Sequence, residues 1–167
     1  MALADDLLSQ ARILVTLDKT RPKQASLRRA VSTAYYALFH LMLGACIQRF
    51  SPTQPAALGP RIARALAHAE MKEVCLPISR SAPGAIFATL VPSGPSIELT
   101  RLAAAFILLQ EARHLADYDL AAAYSRAEVS MLIDRTEQAF TDWKLIQASE
   151  EASVFLSALL FARRWAK

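Results

Sequence analysis

The sequence predicts an all-α fold, a bundle of about five to six helices with an antiparallel up-down core. Three observations lead there. The composition is 54% hydrophobic and rich in alanine and leucine, there are only four glycines to serve turns, and apolar residues recur at helical rather than alternating spacing. A chain of 167 residues has the length of one ordinary domain and can bury a single core, so residues 1–167 are read as one domain.

Each element has its own signal. From Ala4 to Leu17 the residues Leu7, Leu8, Ala11, Leu14 and Leu17 recur at helical spacing, with Asp5 and Asp6 in the first turn, where the macrodipole favours anions. A second helix begins at Pro22 or Ser26 and runs to about Phe50, stopping before SPTQPAALGP. A third spans about Arg61 to Val74 and breaks at Pro77. Residues 76–96, rich in proline, glycine and serine, read as a loop, including the short apolar AIFATLV. Ser96 is a suitable N-cap for a fourth helix reaching Tyr118, apolar almost all round. Ser125 and Glu128 form a capping-box pattern that opens a fifth helix to about Ala148. The apolar stretch 150–167 continues that helix or forms a separate one. Its aromatic residues Phe155, Phe161 and Trp165 do not share one stripe, so it caps the bundle or meets a second chain.

Net charge is +4, a modest basic excess with no basic tract, which is compatible with a polyanionic partner without requiring one. Cys46 and Cys75 lie outside any paired metal or redox spacing and read as free, buried thiols. The N-terminus is acidic and amphipathic, unlike a signal peptide, and the longest apolar runs, LAAAFILL and VFLSALLFA, fall short of the roughly 18 residues of a membrane span. A cytoplasmic protein with no membrane partner is the expectation.

Two segments carry polar groups where a plain helix would not. In RRAVSTAYYALFH, Leu27, Val31, Ala34, Leu38, Leu41 and Ala45 fall in one stripe that should face the core. The other side holds Arg29, Tyr36, His40, Leu43 and Ile47, so this helix should be covered on both sides. Tyr36 and His40 are i,i+4 neighbours, and Arg29 lies about two turns earlier on the same side. In EARHLADYD, Arg113 pairs with Asp117 and His114 with Tyr118 at i,i+4. Arg113 shares its stripe with Leu102, Phe106 and Leu109, and a buried arginine needs a carboxylate or another anion. For each polar group the alternative is ordinary packing, with its tip bonded to a neighbouring helix.

Together these segments resemble the HEPN domains (higher eukaryotes and prokaryotes nucleotide-binding). Ala30, Ser32, Ala34, Tyr35, Tyr36, Ala37, Phe39 and His40 match an A-x-S-x-A-Y-Y-A-x-F-H pattern, and Arg113, Ala116, Asp117 and Tyr118 match R-x-x-A-D-Y. The resemblance implies a homodimer whose later helices meet around a cleft. It also implies an RNA-associated role: either a metal-independent ribonuclease of toxin–antitoxin or antiphage type, or a degenerate module that binds RNA, a nucleotide, an antitoxin or a nucleotidyltransferase without cutting. Neither a metal nor another cofactor is implied. Arg113, His114, Tyr118 and His40 are the candidate catalytic residues, and Tyr36, Asp117 and Arg29 the candidate ligand-binding ones. Catalytic members carry a histidine four to six residues after the arginine, where this chain has Tyr118. With an ordinary pKa of about 10, a tyrosine is a poor base at neutral pH, which leaves His114 or His40 to take a proton. Arg61 and His68 meet the spacing formally but lie in the wrong helix. Glu111 and His114 have the Glu-x-x-His spacing of ferritin-like metal sites, without the second copy such a site needs.

Overall fold

The computed structural model describes residues 2–50, 58–66 and 68–165. It is an all-helical bundle, with eight helices and no strand among the described residues: α1 (Ala2–Thr16), α2 (Gln24–Phe50), α3 (Leu58–Ala65), α4 (His68–Ser79), α5 (Ala85–Leu90), α6 (Ile97–Tyr118), α7 (Arg126–Ile146) and α8 (Glu150–Trp165). Most of SPTQPAALGP (51–57) and the side chains of His68 and Trp165 lie outside the described residues.

The expected caps are made. Ser96 Oγ accepts the Leu99 amide at 3.1 Å. Ser125 and Glu128 complete their box: Ser125 Oγ accepts the Glu128 amide at 3.2 Å, and Glu128 Oε2 accepts the Ser125 amide at 2.7 Å. Asp18 Oδ2 takes the Lys23 amide and the Ser26 hydroxyl, which together hold its carboxyl below the usual range and start α2 between the two expected positions.

Elsewhere the segmentation departs from expectation. The single helix expected over Arg61–Val74 is two, α3 and α4. At about 100° per residue, an unbroken helix would aim the buried Ile62 and Leu66 opposite to the buried Met71, Cys75 and Ile78. A break after Ala65 lets both sets face inward. Helix α4 passes Pro77 and ends one turn later in a Schellman motif, with Ala82 N–H donating to Pro77 O and Ser81 N–H to Ile78 O. Ser81 takes the left-handed position at φ 53°, which glycine adopts without strain. Part of the expected loop is α5, anchored by the buried Phe87. In α1 the buried stripe is Ala4, Leu8, Ala11 and Val15, and Leu17 is 59% exposed beyond the helix end.

The chain divides into two compact units, each drawing on distant stretches: Met1–Leu41 with Ala105–Phe140, and Met42–Ala104 with Thr141–Lys167. In the first, Arg12 of α1 pairs with Glu137 of α7, and Arg126 donates to the carbonyls of Asp18 and Lys19. In the second, α8 packs on α4 and α5, with Ala152, Phe155, Leu156 and Leu159 buried. Asp142, fully buried, accepts two hydrogen bonds from Arg101 at 3.0 and 2.7 Å. Cys46 and Cys75 are free and buried, and burial pushes the Cys46 thiol up to about 12.

Helix α2 buries its expected stripe, from Leu27 to Ala45. It also has the length and hydropathy to cross a bilayer, which the search for uninterrupted apolar runs missed because Ser32, Thr33, Tyr36 and His40 punctuate it. The qualifying window is 67% buried within the protein.

Two stability outcomes follow. Ser81→Gly relieves the left-handed serine and raises stability by about 0.5–1 kcal/mol in urea unfolding. Arg101→Ala takes two charge-assisted donors from the fully buried Asp142 carboxylate and lowers the urea-unfolding midpoint, whereas Glu98→Ala, which removes a 3.5 Å contact to Arg101, leaves it nearly unchanged.

Candidate functional site

In the first unit the N-terminal half of α2 meets the C-terminal half of α6 along a polar seam. An Arg113 Nη donates to the Tyr36 hydroxyl at 3.0 Å, the Ser32 hydroxyl donates to Asp117 Oδ1 at 2.6 Å, and Arg28 donates to the carbonyls of Ala116 and Asp119 at 3.1 and 2.7 Å. Residue numbers fall along α2 as they rise along α6, so the two helices run antiparallel here. Arg28 also reaches the carbonyls of Leu120 and Ala122 in the turn beyond α6, placing a cation near the helix C-terminus.

Arg113 is the centre of the seam. Its side chain is 24% exposed, and its Nε stands 2.7 Å from Asp117 Oδ2, a charge contact in which the N–H is not aligned on the carboxylate. Three aromatic rings surround the guanidinium: Tyr36 and Tyr118 with centroids at 5.6 Å and Tyr35 at 6.0 Å. Tyr35 is fully buried and packs on Phe106, centroid to centroid, at 5.7 Å. Burial works to lower the Arg113 pKa, but Tyr36 and Asp117 outweigh it and the pKa is raised. The cation is therefore permanent.

The expected site residues separate into two sets. Arg113, Asp117, Tyr36 and Tyr118 come together, and the His114 ring lies against Tyr118 at 5.2 Å, solvent-exposed. Arg29 and His40 do not join them. Arg29 is exposed, and the α2 arginine that reaches α6 is Arg28. His40 is half-buried with its ring edge-on to Phe39, and burial lowers its pKa. Glu111 and His114 are both exposed, and among the described residues no three histidine, cysteine, aspartate or glutamate side chains converge as a metal site.

Sequence reasoning passed over Arg28 and Ser32, although Arg28, Ser32 and Tyr36 repeat at i,i+4 and mark a polar line on an apolar helix. It also passed over Gln24 and Tyr124. The Gln24 amide exchanges two hydrogen bonds with the Tyr124 backbone, at 2.8 and 2.9 Å, and the Tyr124 hydroxyl donates to Ala112 O at 2.9 Å. These contacts fasten the turn that follows α6. The second unit holds a separate cavity of about 410 Å³, with Gln48, Arg49, Trp143 and Gln147 among its lining. Arg49 already donates to Gln147 O there.

The seam predicts its own energetics. In a double-mutant cycle, Ser32→Ala and Asp117→Asn couple by about 1–2 kcal/mol, because the hydroxyl bonds a charged acceptor. For His40 the folded chain resists a proton that the unfolded chain accepts near the ordinary value of 6.5. Stability therefore falls as pH drops below that value and levels off below the folded-state pKa. His40→Gln flattens this limb of a thermal-melt pH series.

No protein-family model, curated protein or solved structure matches the chain, so the functional reading rests on the seam and the residues that build it.

Proposed function

We propose that the chain is an HEPN-like, RNA-associated module of the cytoplasm that holds RNA without cleaving it, with Arg113 meeting a backbone phosphate. The observation that carries this is the state of Arg113. It is a permanent, partly open cation whose hydrogen-bond and ion-pair partners among the described residues are a tyrosine and an aspartate. Metal-free cleavage needs a group of near-neutral pKa beside the phosphate-binding cation to take the 2′-hydroxyl proton. Among the described residues no imidazole is hydrogen-bonded to this guanidinium. A phosphate approaching Arg113 competes with Asp117, which suits reversible binding. The homodimer that the resemblance implies would bury Leu108 and Leu115, which are exposed on α6.

One observation favours a second reading. His114 is exposed and its ring lies tilted against the same Tyr118 that covers Arg113, which supports it as the proton acceptor of a metal-independent ribonuclease, of the toxin–antitoxin or antiphage kind.

A single experiment addresses both. Wild type, Arg113→Ala and His114→Ala are incubated with mixed RNA in EDTA, with binding followed by anisotropy across a salt series and cleavage by gel. The expected result is intact RNA, wild-type binding, and an Arg113→Ala affinity reduced about tenfold, with its salt slope smaller by about one. Cleavage that disappears in His114→Ala establishes the ribonuclease instead. Absence of binding by wild type removes the RNA reading.

A further inference from the structure

We infer that the cleft in the second unit is a site for a small aromatic carboxylate, with Arg49 meeting the carboxylate and the apolar floor around Trp143 taking the ring. This site shares no residue with the Arg113 seam.

The cleft has a volume of about 410 Å³, within the range of about 300–1,000 Å³ that small-molecule sites occupy. Its floor is apolar, since Ala45, Trp143 and Leu156 are all buried. Its rim is polar and open, with Gln48, Arg49 and Gln147 exposed. A ligand with a flat apolar body and a polar end matches that division. The rim is also held in place before anything binds. An Arg49 Nη donates to Gln147 O at 2.7 Å, and the Gln147 side-chain amide donates to Lys144 O at 3.3 Å. Behind them the Ser149 amide donates to Ile146 O, and Ser149 Oγ caps α8 through the Ala152 amide. A rim fixed in this way loses little freedom on binding.

Charge selects an anion for the open end. Arg12, Arg101 and Arg113 each pair with a carboxylate, and Arg28 divides its donors among four carbonyls. Among the described residues, Arg49 has a single neutral carbonyl as its hydrogen-bond acceptor, and no acidic side chain lines the cleft beside it. A guanidinium has donors left after one such bond and can still grip a carboxylate with two. A carboxylate is planar like the guanidinium and brings one charge to one cation. Acidic and basic residues balance in the first unit, so the net charge of +4 belongs to the second. A basic unit attracts small anions.

The test follows cinnamate, its neutral amide cinnamamide, and acetate by NMR titration of the full chain, read at the Trp143 indole N–H, which is assigned with Trp165→Phe. Cinnamate is expected to shift that signal saturably and to bind about tenfold more tightly than either of the other two. Arg49→Gln should bring cinnamate down to the affinity of its amide. Gln48→Glu, a change at an exposed position that leaves the packing intact, should weaken cinnamate and spare cinnamamide. Arg80→Gln removes an exposed cation of the same unit from outside the cleft and should leave cinnamate binding at the wild-type value. Circular dichroism melts check that each variant is folded, and Gln48→Glu decides alone if Arg49→Gln is not. Equal affinities for cinnamate and cinnamamide, wild-type cinnamate binding by a folded Arg49→Gln or by Gln48→Glu, an Arg80→Gln loss as large as that of Arg49→Gln, or no shift at Trp143 overturns the site.

Discussion

A guanidinium that has lost three-quarters of its exposure must be given an opposite charge and hydrogen-bond acceptors, or the helix that carries it will not stay packed. In the first unit that demand falls on Arg113, and the response organises everything near it. Asp117 supplies the charge from one turn further along α6, and Ser32 on α2 fixes the carboxylate that supplies it. Tyr36 accepts from the guanidinium, and the rings of Tyr35, Tyr36 and Tyr118 close around it. Because donors and acceptors alternate between the two helices, the antiparallel register of α2 on α6 is set by polar contacts as well as by the apolar stripe beneath them.

Arg28 extends this arrangement beyond the helix. A helix ends with carbonyls that have no partner within it, and at α6 a single guanidinium on α2 takes one of them, that of Ala116, together with those of Asp119, Leu120 and Ala122 in the turn that follows. The turn from α6 to α7 is thereby attached to α2, with Gln24 and Tyr124 adding a second attachment. The exposed Tyr118 and His114 stand on this fixed ground. The second unit answers the same demand of a charge out of water with the fully buried Asp142, whose carboxylate takes two hydrogen bonds from Arg101. The contrast separates a pair that holds helices together from a cluster that also presents a surface.

Helix α2 shows what hydropathy alone leaves open. Its central stretch has no charged residue and could pass for a membrane span, yet its polar side chains are committed to protein partners: Ser32 to Asp117, Tyr36 to Arg113 and Thr33 to its own Arg29 carbonyl. A core helix in contact with several others reads as apolar on all sides, because every side has protein against it.

Periodicity and capping chemistry are local, and they were sufficient for the helical class, for the starts of α6 and α7, and for the buried stripe of α2, since Ser96, Ser125 and Glu128 act within one turn of themselves. The division of α3 from α4 was also present in the sequence, as a phase shift between Ile62 with Leu66 and Met71 with Cys75. The i,i+4 contacts of Arg113 with Asp117 and of His114 with Tyr118 were legible for the same local reason. What tertiary structure alone decided was which α2 residues reach α6. Arg28, Ser32 and Tyr36 bond to it, whereas Arg29 is exposed and the His40 ring lies edge-on to Phe39. Helical spacing orders residues around an axis without saying where the neighbouring helix lies or where it ends, and only packing settles that.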